Sequence, residues 1–340
     1  MAARTPKVPA AVQALRKVEL HQHVDGSIPL RTQWRLLRHH GLNPVATIEE
    51  MRRRLVLQAE EEGSLLSYLD KFHYPLWITQ FYENVREASI AIVRDALSHR
   101  VEVLELRYSP VIHTYAGLTV RQAIRAVLSG FNHVQKTHPG VRCGLIVIAM
   151  RQHGPHIAKI LARQAIAEAE HLHERTGVVG FDIAGPESGN PPRLFRESFD
   201  IARKGGLGLT VHAGEAAGPD YVWHAIDELG AERIGHGCTA VTDRALLRRL
   251  ARDRICIECC PTSNYQTGAV AKGTPHPIVR FLEAGVPVAL CTDNTVVSAT
   301  DQDLEAARIA PQLGRGALAT LRRIHREAAG FSFIGRRGAA

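Results

Sequence analysis

Short apolar runs rich in valine, isoleucine and leucine recur along the 340-residue chain, separated by longer segments with helical periodicity. Each run is nearly continuous in apolar residues, as is typical of parallel strands buried on both faces. The pattern predicts eight strands, at residues 17–23, 101–109, 143–150, 178–185, 207–214, 233–238, 255–263 and 286–294. Between the strands, apolar residues at helical spacing predict amphipathic helices, for example over 119–136 and 156–177.

Eight strand–helix repeats in one chain predict an α/β fold, a (β/α)8 TIM barrel. A doubly wound sheet is the alternative, but no G-x-G-x-x-G follows the first strand. We interpret residues 1–340 as a single barrel. Its first two strands are separated by an unusually long helical insertion, residues 24–100, which we expect to lie as a lid over the C-terminal mouth. Packing against the outer wall of the barrel is the other interpretation of this segment.

Composition and charge exclude several classes of protein. The chain is 45% hydrophobic and 22% charged, as an ordinary globular protein is. The net charge is +8, but no basic run is interleaved with aromatic residues, so no nucleic-acid partner is expected. No apolar run approaches the roughly 18 residues of a membrane span. We expect a small-molecule partner, an anionic one being compatible with the charge, and a homo-oligomer is equally compatible with these features.

The six cysteines show no disulfide framework, and four of them lie within apolar runs. The N-terminal segment lacks the apolar stretch of a secretory signal. Both observations predict a cytoplasmic protein.

Polar residues collect at the ends of the predicted strands, where barrels of this kind carry their active sites. His21 and His23 share a face at the end of the first strand, because residues two apart in a strand point the same way. His212, His236 and Asp293 end the fifth, sixth and eighth strands. A lone histidine is more often a satisfied structural residue. Histidines and an aspartate from four strands converge on one axis, however, and three histidines with a carboxylate suit Zn²⁺.

Glu215 follows His212 by three residues, on the turn that leaves the fifth strand. A carboxyl group close to a metal but offset from it is better placed as a general acid than as a ligand. The competing interpretation is a helix-capping or first-turn acid of the next helix.

Several segments in the expected order now point to a family. They read "VELHQHVDGS", "SLLSYLDKF", "VEVLELRYSP", "VVGFDIAGPE", "LTVHAGE", "IGHGC", "CPTSNYQTG" and "TDN". Over nearly its whole length the chain resembles the adenosine deaminase family, the mononuclear branch of the amidohydrolase superfamily. The zinc signature of the cytidine deaminases is absent. The fourth strand lacks the lysine that bridges two metals in binuclear relatives, which favours one metal.

The resemblance implies roles for individual residues. Glu215 would donate a proton to N1 of a purine. His236 would orient the zinc-bound water and take its proton. Backbone atoms of Gly185 would contact the N3 edge of the purine, and Asp25 would bind the 5′ region of the sugar. The ligands of one Zn²⁺ ion would be His21, His23, His212 and Asp293.

Asn294 departs from the family, which often has a second aspartate at this position, facing purine N7. N7 only accepts hydrogen bonds, and an asparagine amide can donate to it without taking up a proton. Asn294 is therefore compatible with purine binding and could mark a subgroup with a different substrate.

The resemblance predicts a zinc-dependent hydrolytic deaminase that converts adenosine, or a 5′-modified adenosine, to the 6-oxo product and ammonia. Aminodeoxyfutalosine, the substrate of a deaminase of menaquinone biosynthesis, is one alternative. Arg107, Arg151 and His153 would then meet its carboxylate, although structural pairing is the favoured interpretation of these three residues. Adenine deaminase is a second alternative. A catalytically silent nucleoside-binding member and a zinc hydrolase of amides or lactones are the remaining ones.

Overall fold

The computed structural model describes residues 7–169 and 176–335. Within these ranges eight parallel strands follow one another in chain order around one sheet. They are β1 (Lys17–His23), β2 (Val101–Tyr108), β3 (Arg142–Met150), β4 (Val178–Ala184), β5 (Gly208–Ala213), β6 (Arg233–His236), β7 (Cys256–Cys259) and β8 (Val288–Leu290).

The first and last strands meet just beyond β8. A parallel bridge joins Gln22 to Asp293. The N–H of His23 donates to the carbonyl of Asp293 at 2.7 Å, and the N–H of Asp293 donates to the carbonyl of His21 at 2.9 Å. The structure is therefore a (β/α)8 TIM barrel, as predicted. A doubly wound sheet is wrong, because such a sheet leaves its two edge strands apart.

Helices surround the barrel. Over the described ranges they are α1 (Ala10–Gln13), α2 (Leu30–His39), α3 (Ile48–Leu55), α4 (Leu65–Leu69), α5 (His73–Ile78), α6 (Tyr82–Ser98), α7 (Val120–Thr137), α8 (Gly154–Ala169), α9 (Arg196–Lys204), α10 (Pro219–Asp227), α11 (Arg244–Arg252), α12 (Pro261–Gln266), α13 (Ile278–Glu283), α14 (Gln302–Leu313) and α15 (Ala317–Ala328).

Two predicted helices illustrate the agreement. The helix predicted over 119–136 is α7, and it begins with a capping box in which Thr119 and Gln122 satisfy each other's backbone N–H groups. The helix predicted over 156–177 is α8, and the part of that prediction at residues 170–175 lies outside the described residues. No helix in the described ranges has the length and apolar character needed to cross a membrane.

The insertion between β1 and β2 contains helices α2 to α6. The longest of them, α6, packs along α7 and β2 on the outside of the barrel. The short helices α4 and α5, by contrast, place Leu65, Leu69 and Leu76 on the wall of a cavity at the C-terminal mouth. The insertion thus contributes both to the outer wall and to the rim of the mouth.

Buried charged side chains occupy the interior of the barrel. Arg107 of β2 lies 2.9 Å from Asp182 of β4 and 2.8 Å from Glu258 of β7. Arg233 of β6 lies 2.7 Å from Glu258 and 2.6 Å from Glu105 of β2. All five side chains are fully buried. Removal of one partner from such a group leaves an uncompensated buried charge, which is strongly destabilising. This layer therefore forms a rigid polar floor.

Candidate active site

Three strand ends bring the four predicted metal ligands together. Nε2 of His23, at the end of β1, lies 3.3 Å from Nε2 of His212 in β5 and 3.3 Å from Oδ1 of Asp293. Nε2 of His21 lies 3.7 Å from the same Oδ1 atom. Asp293 follows β8 and has φ of +63°, a left-handed conformation that non-glycine residues rarely adopt. Such strain is typical of functional sites.

In His21 and His212, the ring nitrogen that points away from the cluster, Nδ1, faces a buried carboxylate. Nδ1 of His21 pairs with Oε2 of Glu258 at 2.7 Å, and Nδ1 of His212 lies 2.9 Å from Oδ2 of Asp182. The hydrogen bond to Glu258 holds the ring hydrogen of His21 on Nδ1 and leaves its Nε2 lone pair free for a metal, an arrangement common around metal-binding histidines. The polar floor of the barrel thus orients the histidines above it.

The four inner atoms of the cluster suit a transition metal. They are Nε2 of His21, His23 and His212, and Oδ1 of Asp293. Nε2 of His21 is buried and has no hydrogen-bond partner, so its lone pair is unused by the protein. Burial lowers the pKa of His21, His23 and His212 well below the usual value, which keeps the imidazoles neutral, as metal binding requires. Nitrogen ligands with one carboxylate could hold Zn²⁺. These residues and Asp293 are the ones that the sequence selected.

The second carboxylate oxygen of Asp293, Oδ2, contacts hydroxyl groups outside the histidine cluster. Oγ of Ser263 donates to Oδ2 at 2.6 Å, and the hydroxyl of Tyr68, from α4, lies 3.4 Å from the same atom. Tyr68 also contacts Ser298 at 2.7 Å. These hydroxyl groups direct Oδ1 of Asp293 toward the histidines. The sequence did not suggest them, because serine and tyrosine hydroxyls near a strand end have no distinctive spacing.

Glu215 lies beside this cluster as a protonated acid. Burial raises its pKa to about 8, and the negative charge of Glu187 adds to the rise. Oε1 accepts a hydrogen bond from Thr267 at 3.1 Å, while Oε2 lies 3.5 Å from Nε2 of His236. The next helix, α10, begins only at Pro219. The helix-capping interpretation of Glu215 is therefore wrong.

Glu187 was missed by the sequence analysis, although it lies in the quoted segment "VVGFDIAGPE". Its carboxylate accepts backbone N–H groups at distances of 2.6 to 3.1 Å, from Gly214, Glu215, Ala216 and Ala217. Glu187 thus holds the turn that carries Glu215. Contacts between a side chain and distant backbone N–H groups leave no motif, so the sequence offered no signal for this role.

The residues predicted to bind substrate also line the cavity. Asp25 is almost fully buried, and burial raises its pKa to about 6. Gly185 has φ of +91°, a backbone conformation that favours glycine. Nδ2 of Asn294 donates to Oδ1 of Asp293 at 2.8 Å, which leaves one of its two N–H groups for a ligand.

The cavity has a volume of about 320 Å³. One end contains the histidine cluster, Glu215 and Gly185. The wall toward the insertion is apolar, with Leu65, Leu69 and Phe72 from the insertion, and Ile112 follows β2. Ligand pockets commonly combine apolar walls with a few convergent polar groups, as this one does.

The three basic residues considered as carboxylate partners have different positions. Arg107 lies in the polar floor of the barrel. Arg151 is 2% exposed, and its guanidinium donates to the carbonyls of Asn190 and His212. His153 lines the cavity. Two of the three therefore have structural partners, in agreement with the favoured interpretation.

The chain matches a known family along most of its length. The profile described as "Adenosine deaminase" matches residues 16–339. "Adenosine deaminase" of Shewanella loihica (strain ATCC BAA-1088 / PV-4) is 36% identical over 299 residues, which cover 87% of this chain and 88% of that protein. "Probable adenosine deaminase" of Dictyostelium discoideum is 33% identical over 287 residues, which cover 84% of this chain and 36% of that protein. This chain thus matches only about a third of the length of the Dictyostelium protein.

A solved structure shows the same architecture. The crystal structure of arabidopsis ADAL complexed with IMP is similar to this chain with a TM-score of 0.82 and 25% sequence identity. The likeness covers 96% of this chain and 94% of that chain. With the profile and the Shewanella relative, it assigns this chain to the adenosine deaminase family, whose members are hydrolases that act on carbon–nitrogen bonds.

Proposed function

We propose that this protein is a zinc-dependent hydrolytic deaminase that converts a 6-aminopurine nucleoside to its 6-oxo product and ammonia. One observation carries the proposal: the carboxyl group of Glu215, whose pKa burial raises to about 8, faces the same cavity as His23, His212 and Asp293. The relatives named adenosine deaminase support the reaction class, and the IMP bound to arabidopsis ADAL supports a purine ligand.

The four inner atoms of His21, His23, His212 and Asp293 would hold the zinc ion. When bound there, zinc lowers the pKa of a water molecule to about 7 and so makes it nucleophilic near neutral pH. The carboxylate of Glu258 keeps the ring hydrogen of His21 on the far side from the metal.

Glu215 would supply the proton that the purine needs. With a pKa of about 8, the carboxyl group is protonated at neutral pH and can donate to N1 while the water oxygen bonds to C6. The bond from C6 to the amino nitrogen then breaks. After this donation the Glu215 carboxylate would take one hydrogen from the attacking water and so return to its neutral form. The other hydrogen of the water would leave with the amino group as ammonia.

Other residues would hold the nucleoside in place. The backbone of Gly185 is open to the cavity and would contact the N3 edge of the purine. The free N–H of Asn294 would donate to N7. Asp25, on the loop after β1, would bind the 5′ region of the sugar. All three residues line the cavity.

The far wall of the cavity, which is the apolar wall toward the insertion, favours a substrate with an uncharged 5′ group. Among the described residues, no lysine or arginine lines the cavity, and His153 is the basic residue outside the histidine cluster. Leu65, Leu69 and Phe72 supply apolar surface instead. A buried phosphate or carboxylate without a cationic partner is costly. Adenosine and its 5′-alkylthio derivatives therefore fit better than a nucleotide or aminodeoxyfutalosine.

An ultraviolet assay of the zinc-loaded protein tests the proposal. The substrates are adenine, adenosine, 5′-methylthioadenosine, adenosine 5′-monophosphate and aminodeoxyfutalosine. We expect kcat/KM for adenosine or 5′-methylthioadenosine to exceed the values for the two anionic substrates by about tenfold or more, equivalent to about 1.4 kcal/mol. Preferred turnover of an anionic substrate would overturn the assignment of the far wall, and absence of all turnover would overturn the deaminase.

A further inference from the structure

The two ring nitrogens of His236 have different surroundings. Nδ1 lies 2.9 Å from the amide nitrogen of Asn264, and Nε2 faces Glu215 at 3.5 Å. In a neutral imidazole, the partner of one nitrogen decides whether the other carries the hydrogen. We infer that Asn264, oriented by His276, is a positioning residue that holds His236 with its hydrogen on Nε2. His236 is then a hydrogen-bond donor in the site.

The chain of hydrogen bonds starts at a backbone group whose role is fixed. The N–H of Ile278, at the start of α13, donates to Nδ1 of His276 at 3.1 Å. A backbone N–H can only donate, so Nδ1 of His276 is the acceptor. Burial lowers the pKa of His276 to about 3, so the ring is neutral. Its single hydrogen is therefore on Nε2.

This hydrogen fixes the orientation of the next side chain. Nε2 of His276 lies 3.1 Å from Oδ1 of Asn264, which must accept the hydrogen bond. Asn264 is fully buried in α12. With its oxygen directed at His276, its NH₂ group is directed at His236 and can only donate there. The hydrogen-bond network thus determines which end of the amide is which.

Nδ1 of His236 is consequently an acceptor, and Nε2 carries the hydrogen. His21 of the metal cluster has the opposite arrangement. Nδ1 of His21 faces the carboxylate of Glu258, and Nδ1 of His212 faces that of Asp182. The carboxylate of Glu258 accepts a hydrogen bond from Nδ1 of His21, so that ring carries hydrogen on Nδ1 and presents a bare Nε2 atom. One amide in place of a carboxylate therefore separates His236 from His21.

This difference selects between two groups of side chains that could each hold a metal. One group is His21, His212 and His236, and the other is His21, His23 and Asp293. A nitrogen that carries hydrogen has no lone pair for a metal, so the first group is excluded in this state. Nε2 of His212 lies 3.3 Å from Nε2 of His23, a member of the second group.

The same arrangement refines the proposed function, on which its catalytic consequence rests. The family resemblance implies that His236 takes a proton from the attacking water. With hydrogen on Nε2, His236 has no acceptor facing the cavity. It donates a hydrogen bond there and stabilises negative charge that develops on the oxygen attached to C6. Glu215 is left as the proton-transferring residue of the site.

Nuclear magnetic resonance measures the tautomer directly. Zinc-loaded protein is labelled with ¹⁵N-histidine, and long-range ¹H–¹⁵N correlations report which nitrogen of each ring carries hydrogen. The signals of His236 are assigned by their loss in His236→Asn. We expect His236 to carry hydrogen on Nε2 and His21 to carry hydrogen on Nδ1. Hydrogen on Nδ1 of His236, or on both nitrogens, would overturn the inference.

A variant tests the part played by the amide. In Asn264→Asp the new carboxylate can only accept, so we expect hydrogen to appear on Nδ1 of His236. The matched control is Asn132→Asp, a partly exposed position on α7, which should leave the His236 signals unchanged. An unchanged His236 in folded Asn264→Asp would show that Asn264 does not set the tautomer.

The spectra test the tautomer of His236 and the substrate assay tests the proposed function, so either hypothesis can be overturned without the other. Hydrogen on Nε2 in a protein that deaminates nothing would leave the tautomer standing and overturn the proposed function. Deamination by a protein with hydrogen on Nδ1 of His236 would do the reverse.

Discussion

The carboxylate of Glu187 accepts the backbone N–H of Glu215 at 3.1 Å, together with the N–H groups of three neighbours in the same turn. Its negative charge is also the second cause, after burial, of the raised pKa of Glu215. One side chain thus holds the proposed acid in place and helps to keep it protonated.

Glu187→Gln should therefore alter the pH dependence of the reaction. The amide removes the negative charge, so the pKa of Glu215 should fall and its proton should be lost at lower pH. We expect the alkaline limb of kcat against pH to move to lower pH, with a smaller kcat at its maximum because the turn loses hydrogen bonds. Steady-state assays across the pH range measure both effects.

The matched control is Glu197→Gln on the surface helix α9, where the carboxylate pairs with Lys159 at 2.8 Å. This change should leave the alkaline limb in place. A lower kcat with an unmoved limb in Glu187→Gln would mean that Glu187 acts only by holding the turn.

We expect about one transition metal per chain, most readily zinc, bound through the three-histidine and one-aspartate set. Removal of one ligand in His23→Ala should lower the metal content measured after gentle purification. A reproducible content of two metals per chain would contradict the mononuclear site.

The control for metal content uses a second histidine–aspartate group formed by His99, Asp301 and Asp303. Nζ of Lys17 already lies 2.9 Å from Asp303 and supplies a positive charge there. His99→Ala should therefore leave the metal content unchanged.

Glu215→Gln should keep the metal and lose most turnover. Glutamine preserves size and hydrogen bonding but cannot supply the proton for N1. General acid–base groups contribute about 10² to 10⁴ in rate, so kcat should fall by at least that order. Near-normal kcat with full metal content would exclude Glu215 as the acid.

The same substitution should have a pH-dependent effect on stability. The folded-state pKa of Glu215, about 8, lies above the ordinary value of 4.5, so the folded state retains a proton that the unfolded state loses between these values. Its contribution to the free energy of unfolding is complete below about pH 4.5 and falls by roughly 1.4 kcal/mol per pH unit up to about pH 8. Glutamine has no such dependence.

Urea unfolding of metal-free protein should show this difference. We expect the stability of Glu215→Gln relative to wild type to increase with pH through this window and then to level off. Glu283→Gln, at an exposed position in α13, is the control and should show no such trend. A constant offset between Glu215→Gln and wild type would contradict the raised pKa.

Asn294→Asp tests the position at which this chain departs from its relatives. An ionised aspartate would oppose the acceptor N7 and would also lie against Asp293, whose Oδ1 now accepts from the amide. We expect kcat/KM of the variant to fall at about pH 8 and to recover partly toward about pH 6, where a carboxyl with a raised pKa takes up a proton.

Asn294→Ala should be poor at both pH values, because N7 then has no donor. Wild type should change less over the same range, with only the loss near pH 8 that deprotonation of Glu215 causes in all three proteins. If the aspartate variant followed wild type at each pH, Asn294 would instead position the loop after β8.

Apolar patterning predicted the barrel well, because strands buried on both faces appear in the sequence as continuous apolar runs. The convergence of His21, His212 and Asp293 followed from the geometry of a closed barrel, in which strand ends meet at one mouth. The remaining features depend on contacts that no spacing records. Glu187 acts on backbone N–H groups 27 to 30 positions away, and Asn264 acts through the orientation of an amide.

The pairing of the buried charges in the barrel floor could not be predicted for a related reason. Structural pairing was the favoured interpretation of Arg107, but the sequence did not indicate its partners. The partners, such as Glu258, come from other strands and cannot be paired by sequence alone. The polar interior was therefore visible only once the strands were assembled.

The seam between β1 and the end of β8 has a consequence for the growing chain. His21 and Asp293 meet across this seam, so the proposed metal ligands are drawn from almost opposite ends of the sequence. A chain emerging from the ribosome cannot complete the ligand set until residue 293 has been made and the last strand has docked. A metal ion bound there would join β1 to the segment after β8 and so stabilise the closed barrel. Binding of the ion would be among the last events of folding.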